Sequence, residues 1–142
     1  DVIYSIEAFI HTKSLMHTLA MWAKGLEDGG LVVIIDDFLA SPSDKSDPEV
    51  QQFRKSWMAN VIATTREIAD IGAELGLRAV EDRDLGTEYS VVRLNYGNAL
   101  PRMAPEGART HQGWLGSKLR HRLMVLGKLT YRMLVLRKGG EV

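Results

Sequence analysis

The stretch Leu26-Glu27-Asp28-Gly29-Gly30-Leu31-Val32-Val33-Ile34-Ile35-Asp36-Asp37-Phe38 decides the fold. Asp28-Gly29-Gly30 is a helix stop, because glycine takes the left-handed conformation that ends a helix. Leu31 to Ile35 is apolar on both faces, as a central parallel strand covered by helices on both sides should be. Working back, Leu15, Leu19, Trp22, Ala23 and Leu26 recur at spacings of three and four and share one helix face. Before them, Asp1-Val2-Ile3-Tyr4-Ser5 is short, apolar and β-branched and reads as a buried strand. Strand, crossover helix and strand make one right-handed βαβ unit.

Working forward, Ala40 to Ser46 is loop-like, and Asp47-Pro48 signals a helix start, the carboxylate capping free N–H groups and the proline pre-set for the first turn. Val50, Phe53, Trp57 and Val61 form its apolar stripe. Thr64 with Glu67 three residues on is a capping box, with Ile68, Ile71 and Leu75 buried behind it. Gly76 stops that helix, and Leu77 to Leu85 reads as a strand. Thr87 to Tyr96 reads as a short helix closed by Gly97, while Ala99 to Gly113 shows no period. Leu115, Leu119, Leu123 and Leu126 mark a helix whose other side is basic, and Tyr131 to Arg137 is the final strand. The succession of elements belongs to the α/β class.

The chain of 142 residues suits a single domain with its own core. It has no cysteine, which excludes disulfides and thiolate metal sites and is compatible with a cytoplasmic location. No apolar run approaches the roughly 20 residues that span a bilayer, and nothing reads as a signal peptide. The net charge of zero hides an asymmetry. Residues 1–100 carry 9 Lys+Arg against 16 Asp+Glu, a balance of −7, and residues 101–142 carry 9 against 2, a balance of +7. With no nucleic-acid module present, the basic third reads as a flank that complements the acidic rest, and nucleic acid is not an expected partner.

In open α/β sheets ligands gather at the carboxyl ends of the strands. That singles out Ser5 to His11 and Asp36-Asp37-Phe38. Glu7 and His11, four apart, would face the same way in a helical turn and share a proton or grip one substrate group; a capping glutamate and a surface histidine is the plainer alternative. Leu31 to Asp37 also fits the magnesium-holding strand of a nucleotide triphosphatase, or the acid pair of a phospho-receiver domain. No G-x-x-x-x-G-K-[ST] loop accompanies it, and no G-x-G-x-x-G fingerprint occurs. His11, His17, His111 and His121 form no zinc-helix pair, so no metal is expected. Trp22 and Trp57 lie on apolar stripes and read as core. Trp114 lies off the stripes and reads as a pocket wall.

Val2 to His11, followed by a helix and then Leu26 to Ile34, resembles the middle of a class I S-adenosylmethionine-dependent methyltransferase, closest to the small-molecule group of sterol and tocopherol methyltransferases. Leu75-Gly76-Leu77 and the acidic strand after it are similar to that family's sixth strand, and Tyr131 to Lys138 to its antiparallel seventh. The resemblance implies a Rossmann-like sheet of which residues 1–142 form the second half, strands four to seven, with helices on both faces and with strands one to three and the cofactor fingerprint lying upstream. It implies S-adenosyl-L-methionine as cofactor and methyl transfer to a small-molecule acceptor; a homodimer is one assembly open to the chain, and the sequence does not decide it. On the same basis His11 is the candidate base or orienting group, Glu7 lines the cofactor's methionine end or holds His11, and Ser5 and Ile6 meet the cofactor through backbone. Asp37, Phe38, Trp57 and Trp114 are candidates for the acceptor pocket. Ser5-Ile6-Glu7-Ala8 differs from the Asn/Asp-Pro-Pro-aromatic segment with which amino-directed nucleic-acid methyltransferases grip a flipped base. The rival reading is a non-catalytic α/β association module that does not bind the cofactor.

Overall fold

In the computed structural model, which describes residues 1–89, 100, 102–103 and 111–139, Ser14 starts the first helix by accepting a hydrogen bond from the His17 N–H. This helix, α1 (Leu15–Gly25), follows strand β1 (Val2–Ile6) and a 3-10 turn at Phe9–His11. Gly29, at a φ of +84°, then turns the chain into strand β2 (Leu31–Leu39). A second 3-10 turn (Pro42–Ser46) leads to α2 (Pro48–Ser56), where the Asp47 carboxylate accepts from the N–H groups of Glu49 and Val50. The capping box is formed at α3 (Thr65–Glu74): the Thr64 hydroxyl takes the Glu67 N–H, and the Glu67 carboxylate takes the Thr64 N–H at 2.8 Å. Strand β3 (Leu77–Asp84), a single turn α4 (Leu85–Glu88), helix α5 (Gln112–Val125) and strand β4 (Leu129–Lys138) follow.

The sheet order is β1-β2-β4-β3. β1 and β2 are parallel, while β4 runs antiparallel to both β2 and β3, so the last strand in sequence is inserted between two strands that run together. This is the Rossmann-like arrangement of four strands with an antiparallel final strand. The register pairs all nine residues of β2 with β4, from Leu31 with Arg137 to Leu39 with Leu129.

That pairing explains why β2 outruns its apolar stretch. Asp36, Asp37 and Phe38 were expected after the strand and lie inside it. Two other expectations are corrected. The α2 stripe stops short of Val61, because the helix ends at Ser56 and Met58 turns the chain at a φ of +55°. β1 is not buried: as the edge strand of the described sheet it leaves Val2, Tyr4 and Ile6 at 55%, 72% and 55% exposure. The helix read over Thr87 to Tyr96 is described only to Tyr89, with α4 ending at Glu88; its remainder lies outside the described residues, as does most of Ala99 to Gly113.

One core fills the space between the sheet and the α1/α3 layer, with Phe9, Leu19, Val32, Ile34, Ile68, Leu134 and Leu136 at its centre. A second joins Leu39 and Leu129, at one end of the sheet, to Val50 and Phe53 of α2 and Leu119 and Leu123 of α5. Along β2, Val32 and Ile34 are fully buried, while Leu31, Val33 and Ile35 on the opposite face are half-buried. The candidate site lies where the two cores meet, at the carboxyl ends of β1 and β2.

Candidate functional site

Asp36 and Asp37 follow the part of β2 that pairs with β1, which ends at Ile35, and by the alternation of a strand they point to opposite faces. Asp36 is 2% exposed and faces the α1 layer. Its carboxylate accepts from the Ile10 N–H at 3.2 Å and from the Asp37 N–H at 2.9 Å, and so ties down the 3-10 turn that carries His11. Burial pushes the Asp36 carboxyl above its ordinary range, opposed by the N–H groups of Asp37, Ile10 and Phe9.

Asp37 is 4% exposed and faces α5. Arg120 meets it with two parallel bonds, Nε to Oδ2 at 2.5 Å and Nη2 to Oδ1 at 2.9 Å, the fork geometry that suits a carboxylate. Burial pushes Asp37 up against the pull of Arg120. For Arg120, burial works against the charge, but the hydrogen bond and opposite charge of Asp37, with Glu7 beyond, outweigh it and raise its pKa. The same guanidinium lies 5.3 Å from the centroid of the Tyr131 ring, a cation–π contact. Tyr131 is the register partner of Asp37. Burial first, then the charge and hydrogen bonding of Glu7, push its phenol up to about 12.

Glu7 lies near enough for its charge to act on Asp37, Arg120 and Tyr131. Its N–H bonds to the Ile35 carbonyl at 2.8 Å, it adopts a φ of +50°, and it stands exposed between exposed Ile6 and Ala8. A positive φ is uncommon for a residue with a Cβ and costs of order 1–3 kcal/mol, which the surroundings must hold in place. Ser5 is half-buried within β1, opposite Ile34.

His11 takes different partners. Its Nδ1 lies 3.0 Å from the Met58 carbonyl, and its own carbonyl accepts from Asn60 Nδ2 at 3.0 Å. A carbonyl only accepts, so Nδ1 carries the proton and the lone pair of the neutral ring is on Nε2. Glu7 and His11 do not share a helical turn, because Glu7 precedes the 3-10 turn that holds His11.

Of the other residues singled out in the sequence, Phe38 is 1% exposed inside the first core. Trp57 closes α2, stacks on Phe53 with ring centroids 6.2 Å apart and packs against the second core. Trp114, 41% exposed on the first turn of α5, has the Lys118 ammonium 5.8 Å over its ring. The described structure therefore brings Glu7 and Asp37 together and leaves Phe38 and Trp57 as packing. Arg120 and Tyr131 lie beside Asp37 although neither is singled out in the sequence; no local signal marks them, since Tyr131 arrives by strand pairing and Arg120 by helix packing across 83 residues of chain.

A hollow of about 590 Å³ opens beyond His11, among Lys13, Leu15, Lys45, Arg54, Asn60 and Ile71. Lys45 is paired with Glu67 and Arg54 with the carbonyls of Ala59 and Asn60, so two of its three cations are already engaged. Among the described residues no three His, Asp or Glu side chains gather as a metal site, and no helix is long and apolar enough to cross a membrane.

No protein-family profile matches the sequence, and no curated protein sequence matches it. Solved structures do match by shape. A proposed sarcosine dimethylglycine methyltransferase from Galdieria sulphuraria superposes with a TM-score of 0.69 at 20% identity, covering 99% of this chain and 54% of that one. An O-methyltransferase of a trans-AT PKS multienzyme from Brevibacillus brevis, in complex with S-adenosyl-L-homocysteine, gives 0.70 at 18% identity over 98% and 44%. The geranyl diphosphate C-methyltransferase from Streptomyces coelicolor A3(2), also with S-adenosyl-L-homocysteine, gives 0.66 at 16% identity over 97% and 46%. The sterol and tocopherol subgroup is not distinguished by these neighbours. The chain has the fold of class I S-adenosylmethionine-dependent methyltransferases and spans about half the length of the structures it matches.

Proposed function

We propose that this chain is the acceptor-side half of a domain that transfers a methyl group from S-adenosyl-L-methionine to a small-molecule acceptor. The observation that carries the reading is the exposed shelf Ile6-Glu7-Ala8 at the end of β1, placed beside the Asp37–Arg120 pair on a sheet of methyltransferase topology. The shelf fits a cofactor with a cationic end. Asp36 is tied to N–H groups and Asp37 to Arg120, while Glu7 stands exposed and offers its carboxylate to such a ligand. Glu7 lines the methionine end, and Ser5 and Ile6 contribute backbone. The half-length coverage and the outer edge of β1, unpaired among the described residues, support an upstream half, strands one to three, pairing along that edge.

The cofactor supplies a methyl carbon on a sulfonium, so the protein's work is alignment, exclusion of water and removal of one proton. His11 is suited to the last of these. Met58 holds the proton on Nδ1, which leaves Nε2 able to take the proton that the acceptor would lose on methylation. Asp37 and Trp114 remain the acceptor-side candidates that reach the surface or its charge network, with Phe38 and Trp57 packed behind them.

Calorimetric titration of S-adenosyl-L-homocysteine into the full-length gene product is the test. Binding is expected, with His11→Ala lowering the transfer rate at least a hundredfold while leaving that affinity in place. Absence of binding sinks the methyltransferase reading. The second reading, an association module, draws on the exposed Val2, Tyr4 and Ile6 along a strand edge that is unpaired among the described residues, which favour pairing with another chain. Sedimentation of the gene product distinguishes a homodimer built on that edge from a monomer in which the edge is already covered.

A further inference from the structure

The turn that follows α2 is bonded to the segment of His11 at three points. The Val61 N–H donates to the Ile10 carbonyl at 2.9 Å, Asn60 Nδ2 to the His11 carbonyl at 3.0 Å, and the His11 Nδ1–H to the Met58 carbonyl at 3.0 Å. The turn itself is a Schellman arrangement at the end of α2. The Ala59 N–H donates to the Arg54 carbonyl at 2.9 Å and the Met58 N–H to the Lys55 carbonyl at 3.4 Å, with Met58 in the left-handed position that glycine commonly fills. Arg54 then spans this turn with its side chain. Its Nε donates to the Ala59 carbonyl at 3.1 Å and its Nη2 to the Asn60 carbonyl at 3.2 Å. Resting on the reading of His11 as the group that takes the acceptor's proton, we infer that Arg54 is a positioning residue: its guanidinium holds residues 57–60 in the shape that aims the Met58 carbonyl at His11 Nδ1, and so keeps the ring's lone pair on Nε2.

Each link is a bond whose loss has a direction. A guanidinium fork suits a carboxylate, yet among the described residues Arg54 is paired with none, and both of its bonded nitrogens go to successive carbonyls of one turn. Two parallel donors fix the relative orientation of those carbonyls, which a single ammonium does not. Left-handed backbone is disfavoured at a residue with a Cβ, so the Met58 peptide relaxes once its ties are cut. On one side of it Trp57 is anchored by stacking on Phe53, and on the other the Ile10 N–H is tied to Asp36. Between these anchors, the helix end and Arg54 keep Met58 in shape. A neutral imidazole with no partner on Nδ1 populates both tautomers, and in the other one Nε2 already bears the proton and cannot accept another.

Heteronuclear NMR of the full-length gene product, with its histidine ring nitrogens labelled and His11 assigned through the loss of its signals in His11→Gln, reads the tautomer directly. Above the pH at which the ring titrates, the wild-type protein is expected to hold the proton on Nδ1. Arg54→Ala should lower the ratio of that tautomer to the other about fivefold, the net effect of one neutral hydrogen bond. Arg54→Lys keeps the charge and the helix propensity but offers one head for two carbonyls; its ratio should fall between, and it serves where Arg54→Ala does not fold. Lys55→Ala removes an exposed cation from the same helix end and should leave the ratio as in the wild type. A residue that only caps the helix would lower the urea midpoint and leave the tautomer where it was. Mixed tautomers in the wild type, an unchanged ratio in both Arg54 variants, or an equal fall in Lys55→Ala would overturn the inference while leaving the methyltransferase reading intact. If the full-length gene product does not bind S-adenosyl-L-homocysteine, the methyltransferase reading falls and the positioning role falls with it, even with the ring held as described.

Discussion

Asp36 and Asp37 are neighbours in sequence with unrelated tasks. One is tied to the backbone of the turn that bears His11, and the other to a guanidinium on α5. Removing the second contact has a computable sign. Asp37→Ala leaves the Arg120 charge, whose side chain is only 22% exposed, without its carboxylate, and an orphaned buried charge costs about 3–5 kcal/mol. The urea midpoint should drop accordingly, and Asp37→Ala combined with Arg120→Met should recover part of the loss. A double variant no more stable than Asp37→Ala would mean that the guanidinium finds water once unpaired. At this scale Glu7 and Asp37 stand out in the sequence, because polar residues directly after an apolar run are conspicuous. Arg120 and Tyr131 do not. Nothing near Arg120 separates it from Lys118 or Arg122, and Tyr131 reads as one more strand residue until β4 is known to lie against β2.

Helix boundaries were the most readable elements, because caps are local chemistry. Thr64, Glu67, Asp47 and Pro48 act where the sequence places them. Thr64→Ala should cost about 1 kcal/mol in urea unfolding, the usual worth of an N-cap. The Glu67 carboxyl is opposed by burial, yet the Thr64 N–H and Lys45 hold its pKa below the ordinary 4.5. A carboxyl depressed in the folded state adds stability that is present above its unfolded pKa and is lost as pH falls through the folded value. Unfolding midpoints measured from neutral pH down through 4.5 should therefore decline, and Glu67→Gln should flatten that decline. A second element contact, invisible in the sequence, joins α2 to α5. A Cβ on Gly116 would stand 2.6 Å from the Trp57 ring. Gly116→Ala gains helix propensity but forces the Trp57 ring off Phe53, and the overpacking term of about 1–3 kcal/mol should win. A more stable Gly116→Ala would show that Trp57 shifts freely. The insertion of β4 between β2 and β3 was likewise beyond local reading, since a strand's neighbours are set by long-range packing rather than by its own pattern.

At the scale of the whole molecule, the −7 and +7 portions meet in the fold. Lys128 pairs with Asp47 at 2.5 Å, Arg122 with Glu49 at 2.9 Å, Arg120 with Asp37, and Arg132 with Asp82 and Asp84. Four of the nine cations of residues 101–142, Arg120, Arg122, Lys128 and Arg132, are thus paired with carboxylates among the described residues, and each such pair lowers the charge available to a polyanion. This has a measurable consequence. Replacing Asp47 and Glu49 by Asn and Gln frees Lys128 and Arg122, and retention on heparin should rise to higher salt, because counterion release scales with the number of unpaired cations. The same loss of two negative charges at Glu27 and Glu74, exposed residues of other elements, changes the net charge equally but frees neither cation. The first pair should shift elution clearly more than the second. Equal shifts would mean that heparin senses only net charge and that the ion pairs do not mask the basic surface.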